Sequence, residues 1–415
     1  MTTDPRQDAA GARARHWGLD PAMTFLNHGS FGACPLPVLE AQRRWRDEME
    51  RQPVRFLARE LESRLDGARG ELAVFVGADA ADVAFVPNAT TGVNAVLRSL
   101  RFAPGDELLT TDHAYNACRN VLEFVAERDG ARVVVAPIPF PIDAPERASA
   151  EVLERVTPRT RLALLDHVTS PTGIVLPIAR LVAELDRHGI DTLVDGAHAP
   201  GMLALELGAI GAAYYTGNCH KWLCAPKGAA FLYVRRDRQA GIRPTTTSHG
   251  ANSPRTDRSR FLLEFDWTGT DDPTAHLCVP EAIHFMGGLL PGGWPALRRH
   301  NRDLVLRGRR LLCEALGVAP PCPDEMIGSL AAVPLPDGDP GDLRPPLYID
   351  PVQDALLSRF GIEVPIVPWP ASPARVIRIS AQVYNRLEQY ERLAAALGEI
   401  LPRRHEHDGP RADVT

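Results

Sequence analysis

Between about residues 80 and 235, the chain alternates short apolar runs with stretches of helical periodicity. The strand-like runs are 83–86, 107–110, 132–135, 162–165, 192–195 and 229–234. Parallel neighbouring strands must be joined by a long crossover connection, which is usually a helix. The alternation therefore predicts an α/β fold with a mostly parallel central sheet flanked by helices.

The pattern changes after about residue 290. A long helical run over 295–316 is followed by proline-rich connections, a strand over 376–380 and a last helix over 386–401. This order of elements predicts a smaller α+β domain. The proline- and glycine-dense stretch 333–346 is predicted to be a flexible loop.

These two patterns suggest a division of the chain. We expect residues 1–50 to be an N-terminal segment that contributes to the small domain and to the active-site entrance. Residues 51–290 would form the large domain, and residues 291–415 would form the small one, with a disordered tail from about residue 403. A chain of 415 residues is long enough for two such domains.

Composition narrows the class of partner. The formal net charge of −6 gives no electrostatic basis for binding nucleic acid. There is no apolar run of about 18 residues and no apolar signal-sequence core near the start, so we expect a cytoplasmic location and no membrane partner. The seven cysteines are dispersed and form no CxxC pair, which favours reduced thiols, and we assign no metal site.

Lysine is nearly absent from this chain. Of 46 lysine and arginine residues, only Lys221 and Lys227 are lysines. A guanidinium stays protonated, whereas a lysine amine can act as a nucleophile and form a Schiff base. The two lysines could simply survive an arginine-rich bias in composition. The alternative is a lysine that arginine cannot replace, and Lys221 lies in an unusual polar and aromatic segment.

Several polar residues follow the strands at the carboxyl edge, where open α/β sheets bind ligands. Asp195 ends the apolar run 192–195, and Thr90 and Thr91 lie where the run 83–86 passes into a helix. Pyridoxal phosphate needs a Schiff-base lysine, a carboxylate for its pyridine nitrogen and a phosphate cradle. Taken singly, however, Asp195 could cap the following loop, and the two threonines could cap the helix.

Two segments carry a more specific resemblance, Asp195-Gly196-Ala197-His198 and Gly217-Asn218-Cys219-His220-Lys221-Trp222. They resemble the class V aminotransferase family of fold-type I pyridoxal-phosphate enzymes, and the resemblance spans nearly the whole chain. Other segments are similar to the isopenicillin N epimerase-like branch, among them Asn27-His28-Gly29-Ser30-Phe31-Gly32 and Asn88-Ala89-Thr90-Thr91-Gly92. The resemblance implies a large cofactor-binding domain, pyridoxal 5'-phosphate as cofactor, a small amino-acid-like substrate and a homodimer with a shared active site.

The resemblance also implies a role for each matching residue. Lys221 would hold the cofactor aldehyde and move the substrate's Cα proton, Asp195 would pair with the pyridine nitrogen, and His198 would lie near the phenolic oxygen. The implied phosphate contacts are Thr90, Thr91, Asn218 and His220, with Gly269 and Thr270 reaching from a second subunit. The residue that stacks on the ring is expected in the loop after Thr111, and we predict Tyr115 rather than His113.

Arg378 lies in the apolar run 376–380, where an unpaired guanidinium is costly. An internal acid would be the ordinary partner, but the resemblance implies that this arginine binds the substrate's α-carboxylate. Arg55, His28 and His249 are weaker candidates for the outer substrate pocket. Lys227 is expected to be structural.

The family members share these residues but differ in the reaction that follows removal of the Cα proton. The branch motifs favour epimerisation or racemisation at the α-carbon. C–S β-elimination, as in hercynylcysteine sulfoxide lyases, and transamination stay open, as does a pyridoxal-phosphate-binding regulator without turnover. A cysteine desulfurase would need a nucleophilic cysteine shortly before Arg378, and residues 362–378 contain none.

Overall fold

Residues 11–339 and 350–401 are described by a computed structural model. From residue 24 onward the strands are β1 (Thr24–Phe25), β2 (Val83–Val86), β3 (Glu107–Thr111), β4 (Arg132–Ala136), β5 (Thr160–Asp166), β6 (Asp191–Asp195), β7 (Tyr214–Asn218), β8 (Ala230–Val234), β9 (Leu330–Leu335), β10 (Ile362–Glu363), β11 (Ile366–Pro368) and β12 (Arg375–Ser380). The helices are α1 (His28–Phe31), α2 (Leu36–Arg51), α3 (Pro53–Arg55), α4 (Leu61–Val76), α5 (Ala89–Ser99), α6 (Asn116–Asp129), α7 (Pro145–Leu153), α8 (Ile178–Arg187), α9 (Leu207–Ile210), α10 (Arg260–Phe265), α11 (Thr274–Leu277), α12 (Val279–Gly288), α13 (Gly293–Leu316), α14 (Pro351–Phe360) and α15 (Leu387–Ile400). A π-helical turn covers Phe56–Glu60, and 3₁₀ turns cover Ala80–Asp82, Arg236–Gly241, His249–Asn252 and Asp324–Met326.

The central sheet has seven strands in the order β2-β8-β7-β6-β5-β3-β4. Strand β8 runs antiparallel to both of its neighbours, and the other neighbouring pairs are parallel. The prediction of a mostly parallel sheet flanked by helices is therefore confirmed. Because β5, β6 and β7 are parallel neighbours, their carboxyl ends meet at one edge, where Asp166 and Asp195 are register partners.

Both faces of this sheet are buried. Leu162 and Leu164 of β5 enter one apolar cluster, whereas Ala163 and Leu165 enter the cluster on the opposite face. Successive side chains of a strand point to opposite faces, so a strand covered on both sides must be apolar throughout. This is why the strands appear in the sequence as short continuous apolar runs.

The C-terminal part contains a separate antiparallel sheet in the order β11-β12-β9. Arg378 lies on the central strand β12, opposite Ala332 of β9. Strand β1 pairs in parallel with β10, which joins the N-terminal segment to the C-terminal part of the chain. The predicted division at residues 50 and 290 stays a prediction.

Two elements differ from the sequence-based expectation. The segment Tyr214–Asn218 was not among the predicted strand-like runs, yet it is the interior strand β7, whose Thr216 hydroxyl donates to the Phe231 carbonyl at 2.8 Å. The predicted loop 333–346 is wrong at its start, because β9 continues to Leu335. Pro334 is tolerated there because β9 is an edge strand that pairs only with β12. The predicted tail from about residue 403 lies outside the described residues.

Within the described ranges, no helix combines the length and the apolar character needed to cross a membrane.

Candidate active site

A cavity of about 660 Å³ opens at the carboxyl ends of β5, β6 and β7, beside the N-terminus of α5. Most of the predicted cofactor residues line it, namely Thr90, Thr91, Tyr115, Asp195, His198, Asn218, His220 and Lys221. The fold therefore brings together residues that are up to 131 positions apart in the chain, from Thr90 to Lys221. We refer to this cavity as the Lys221 pocket.

The Lys221 amine faces this pocket, with Nζ 3.1 Å from Nε2 of His198. Burial lowers the pKa of Lys221 to about 8, and the charge of Arg378 acts in the same direction, while Asp195 and Asp166 oppose it. A larger fraction of the amine is therefore neutral near physiological pH than for an ordinary lysine. Lys227 is different, since it is exposed and its Nζ donates to the Gly32 carbonyl at 2.8 Å.

The N-terminal segment contacts the backbone of the loop that carries Lys221, which we call the lysine loop. His28 is fully buried, and its Nε2 donates to the Lys221 carbonyl at 3.0 Å while its Nδ1 contacts the Tyr384 hydroxyl at 2.8 Å. Gly32 has a φ of 69°, and a Cβ at this position would collide with the His220 carbonyl. His28 was expected in the outer substrate pocket, but it lies behind the lysine loop because both ring nitrogens bind chain atoms.

Two acids end neighbouring strands of the sheet. Asp195 is buried, its Oδ2 lies 3.0 Å from the Cys118 thiol, and its Oδ1 accepts from the Ala197 amide at 3.0 Å. Asp166 is also buried, and its Oδ1 has no hydrogen-bond partner within the described residues. Burial, reinforced by the charge of Asp195, raises the pKa of Asp166 well above its usual range. Asp166 was not predicted from the sequence as a site residue, although it ends an apolar strand as Asp195 does.

Some polar groups at the start of α5 cap the helix, and others are available to bind a ligand. Asn88 Oδ1 accepts from both the amide and the hydroxyl of Thr91, at 2.8 and 3.1 Å, so the capping alternative holds for Thr91. The Thr90 hydroxyl has no hydrogen-bond partner within the described residues. A Cβ on Gly92 would collide with Thr216, which shows that α5 packs directly against β7. The helix N-terminus is therefore fixed at the sheet edge, where it can bind an anion.

Two further residues complete this end of the pocket. Asn218 is the last residue of β7, and its Oδ1 accepts from the Ala89 amide at 2.8 Å. His220 donates from Nδ1 to the Ala229 carbonyl at 3.1 Å, which leaves Nε2 for a ligand. Burial lowers the pKa of His220 to about 4, and the charge of Lys221 contributes to this shift.

The loop after β3 places Tyr115, and not His113, in the pocket. Tyr115 is 43% exposed and lines the cavity immediately before α6. His113 is fully buried, with Nδ1 2.7 Å from the Thr172 hydroxyl and Nε2 3.0 Å from the Ile138 carbonyl. Of the two alternatives from the sequence, Tyr115 is therefore the residue positioned to contact a ligand. Its stacking role stays a prediction.

Arg378 carries a buried positive charge and is only 4% exposed. Its guanidinium donates to the carbonyl of Ser170, to the Ser170 hydroxyl at 3.3 Å and to the Ser30 hydroxyl at 2.9 Å. Nε is unpaired, and no acid bonds to this side chain within the described residues. Ser30 and Ser170, which sequence analysis missed, also line the Lys221 pocket. The internal-acid alternative for Arg378 therefore finds no support.

Four predicted residues lie away from the Lys221 pocket within one chain. Arg55 is exposed and forms an ion pair with Glu60. His249 is exposed and lines a separate surface cavity. Gly269 and Thr270 are exposed, and Gly269 lines a smaller cavity that shares Thr91 with the pocket. Their roles in cofactor or substrate binding stay predictions.

The residues of the pocket fit the pyridoxal phosphate expected from the sequence. Lys221 supplies an amine of lowered pKa, and the buried Asp195 supplies a carboxylate for a cationic ring nitrogen. Two buried polar atoms around the pocket have no partner within the described residues, namely Asp166 Oδ1, which lines the pocket, and Arg378 Nε, whose side chain bonds to Ser30 and Ser170 of the pocket wall. Buried polar groups are normally hydrogen-bonded, so unpaired ones around a cavity indicate a ligand site.

Comparison with known proteins agrees with this chemistry. Residues 34–263 match the family model described as aminotransferase class-V. The chain is 37% identical over 395 residues to an isopenicillin N epimerase of Streptomyces clavuligerus, which covers 92% of this chain and 96% of the relative. It is 33% identical over 414 residues to a probable chloroplastic L-cysteine desulfhydrase of Arabidopsis thaliana, covering 92% and 84% respectively.

Solved structures show the same fold. A mutant of the C-DES protein with glycine covalently linked to its PLP cofactor aligns with a TM-score of 0.76 and 23% identity, over 93% of this chain and 99% of that one. A cysteine desulfurase of Escherichia coli aligns with a TM-score of 0.74 and 21% identity, over 96% and 98%. The chain therefore belongs to the class V aminotransferase family of fold-type I enzymes, whose cofactor is pyridoxal 5'-phosphate.

Proposed function

We propose that this protein acts at the α-carbon of an amino acid whose free carboxylate binds Arg378, and that it inverts the configuration of that carbon. The observation that carries the proposal is the uncompensated guanidinium of Arg378 beside the pocket that contains Lys221. A carboxylate bound there would accept bidentate hydrogen bonds and neutralise the buried charge. The preference for epimerisation or racemisation rests on 37% identity to two isopenicillin N epimerases.

Each pocket residue would have a defined task. Bound pyridoxal phosphate supplies an electron sink for the pair of electrons left when the Cα–H bond breaks. Lys221 would hold the cofactor and then take the Cα proton on Nζ, which suits an amine of lowered pKa. Asp195 would stabilise the positive charge on the ring nitrogen. Thr90, Asn218 and His220 would bind the phosphate.

Inversion requires a second proton donor on the face of the α-carbon opposite Lys221. Tyr115 is the phenol that lines the pocket, and it lies close enough to Arg378 for the charge of that guanidinium to act on its hydroxyl. Burial nevertheless raises the pKa of Tyr115, so the hydroxyl keeps its proton at neutral pH. We assign Tyr115 this second donor role, in addition to its predicted stacking on the ring.

A second candidate reaction is C–S β-elimination. It is favoured by 33% identity to the chloroplastic desulfhydrase and by 26% identity over 324 residues to a hercynylcysteine sulfoxide lyase of Schizosaccharomyces pombe. Both reactions begin with the same removal of the Cα proton, so Lys221, Asp195 and Arg378 serve either one. A desulfurase reaction through a protein persulfide is not supported, because residues 362–378 contain no cysteine.

Product analysis distinguishes the candidates. The purified enzyme is incubated with a panel of L-amino acids and L-cysteine conjugates, followed by chiral chromatography and assays for keto acids and thiols. We expect a D-enantiomer or an epimer without keto acid. Pyruvate with a released thiol would identify a lyase, and a keto acid formed only with an amino-group acceptor would identify a transaminase. A cofactor spectrum that responds to no amino acid would favour a regulator.

A further inference from the structure

The side chain of Trp222, the residue after Lys221, is linked to the Lys221 amine by two hydrogen bonds of His198. Its indole is 1% exposed, and a buried indole N–H normally finds an acceptor. The acceptor is Nδ1 of His198, at 3.4 Å from Nε1. The other ring nitrogen of His198, Nε2, lies 3.1 Å from Nζ of Lys221. These three side chains form one continuous hydrogen-bonded line.

The chemistry of the groups fixes the direction of each hydrogen bond. An indole N–H can only donate, so Nδ1 of His198 must present its lone pair. A neutral imidazole has one N–H, which is then on Nε2 and points at Nζ of Lys221. His198 is 2% exposed, and burial lowers its pKa well below the ordinary value, so the ring is neutral. The amine must therefore accept a hydrogen bond, which an ammonium cannot do.

We propose that Trp222 is a positioning residue that fixes the tautomer of His198 and thereby disfavours the protonated form of Lys221. This inference rests on the proposed role of Lys221 as the residue that binds the cofactor. The neutral amine is the form that attacks an aldehyde, so the indole would keep the lysine ready for cofactor capture. Filling of the core alone would require the bulk of Trp222 but not its N–H group.

The other titratable groups around Lys221 stay in place when the indole is changed. Arg378 disfavours the ammonium, whereas Asp195, Asp166 and Cys118 favour it. His220 is held neutral by burial. A Trp222→Phe substitution keeps an aromatic ring and removes only the N–H donor. His198 is then free to move its proton to Nδ1, and its Nε2 can accept from a Lys221 ammonium.

The first experiment measures cofactor capture by the full chain after removal of the cofactor. The rate at which added pyridoxal 5'-phosphate binds is followed by absorbance between pH 6 and about pH 10. In Trp222→Phe, Nε2 of His198 can accept a charge-assisted hydrogen bond from the Lys221 ammonium instead of donating a neutral one to the amine. This change should raise the pKa of Lys221 by about 1. Capture should therefore slow about tenfold at pH 7 and match the wild type above about pH 10.

The matched control is Trp17→Phe, which removes a buried indole N–H that donates to the Ala33 carbonyl at 3.1 Å, away from the pocket. It should leave the pH profile unchanged. A Trp222→Phe profile identical to the wild type would overturn the inference, as would an equal loss of rate at every pH, which indicates a structural role. Failure of the wild-type chain to capture the cofactor at any pH would instead overturn the proposed function.

A second measurement determines the tautomer of His198 directly. In the wild-type chain labelled with ¹⁵N-histidine, the His198 signals are identified by their loss in His198→Asn. We expect the nitrogen shifts of a neutral ring protonated at Nε2, and of a ring protonated at Nδ1 in Trp222→Phe. A wild-type His198 that carries its proton on Nδ1 would contradict the inference directly.

Discussion

Arg378 and Arg375 are two arginines of the same strand with opposite electrostatic environments. Arg375 is paired with Asp350 at 2.7 and 2.8 Å, whereas Arg378 bonds only to the neutral groups of Ser30 and Ser170 within the described residues. Removing one partner of a buried ion pair leaves an uncompensated charge, but replacing an unpaired buried charge with an apolar side chain relieves a desolvation cost. The two residues therefore contrast an arginine paired within the chain, Arg375, with one that we propose binds a ligand, Arg378.

We predict opposite outcomes for the two matched variants. Arg378→Met should raise KM for the amino-acid substrate by about 100-fold, because two charge-assisted hydrogen bonds to the carboxylate are lost. It should also raise the free energy of unfolding of the substrate-free enzyme by about 1 kcal/mol. Arg375→Met should lower that free energy by about 3 kcal/mol and leave KM unchanged. Steady-state kinetics and denaturant unfolding test both, and an unchanged KM in Arg378→Met would remove the carboxylate role.

The proposed donor role of Tyr115 can be tested by separating inversion from simple proton exchange. Tyr115→Phe keeps the aromatic ring but removes the hydroxyl, so Lys221 should still exchange the Cα proton of an L-amino acid while the yield of D-product falls about 100-fold or more. Proton NMR in deuterium oxide with chiral chromatography measures both rates. Tyr233→Phe, in β8 away from the pocket, is the control. Unchanged D-product in Tyr115→Phe would assign the second donor to another residue.

At the scale of elements, the ends of β5 and β6 place two carboxyl groups side by side, Asp166 and Asp195. Burial raises the pKa of Asp166, so its contribution to stability is complete below the unfolded-state pKa of about 3.9 and is lost as pH rises through the folded-state value. We therefore predict that Asp166→Asn, in the cofactor-free chain, is more stable than the wild type at pH 7 but not below about pH 4. Denaturant unfolding across this range tests it. A difference that is constant with pH would contradict the assignment.

The sequence was sufficient to predict six of the seven strands of the central sheet, and a physical reason accounts for the exception. Strands buried on both faces appear as short apolar runs, so β2, β3, β5, β6 and β8 were found, and the less buried edge strand β4 was found by its three consecutive valines. Strand β7 was missed because its residues Thr216, Gly217 and Asn218 are polar or small, and its burial depends on β6 and β8 on either side. Such a strand is specified by its neighbours in the sheet rather than by its own periodicity.

In the pocket, several residues could be predicted from the sequence, whereas the directions of their side chains could not. Motif positions along the chain were enough to predict Lys221, Asp195 and six other residues that line the cavity. The direction of a side chain was not predictable, because it depends on long-range partners. His28 is directed behind the lysine loop by its contacts with Tyr384 and the Lys221 backbone. The contacts of Arg378 with Ser30 and Ser170 likewise join segments that are far apart in sequence.

At the scale of the whole molecule, the pocket of one chain lacks two of the predicted phosphate contacts. Gly269 and Thr270 are exposed and do not line the Lys221 pocket of their own chain. We predict that they complete the pocket of a second copy. In heterodimers of Lys221→Ala and Thr270→Glu chains, purified with two different tags, one site would carry both changes and the other none, giving about half of the wild-type activity. Inactive heterodimers would show that each chain forms its site alone.

The most direct test of the account is the exchange of the Cα proton of an amino-acid substrate in deuterium oxide, followed by proton NMR with the wild-type enzyme and with Lys221→Ala. We predict loss of the α-proton signal with the wild type and no exchange with Lys221→Ala. Exchange at the same rate in both, or no exchange of any tested amino acid by a wild-type enzyme that binds its cofactor, would contradict it.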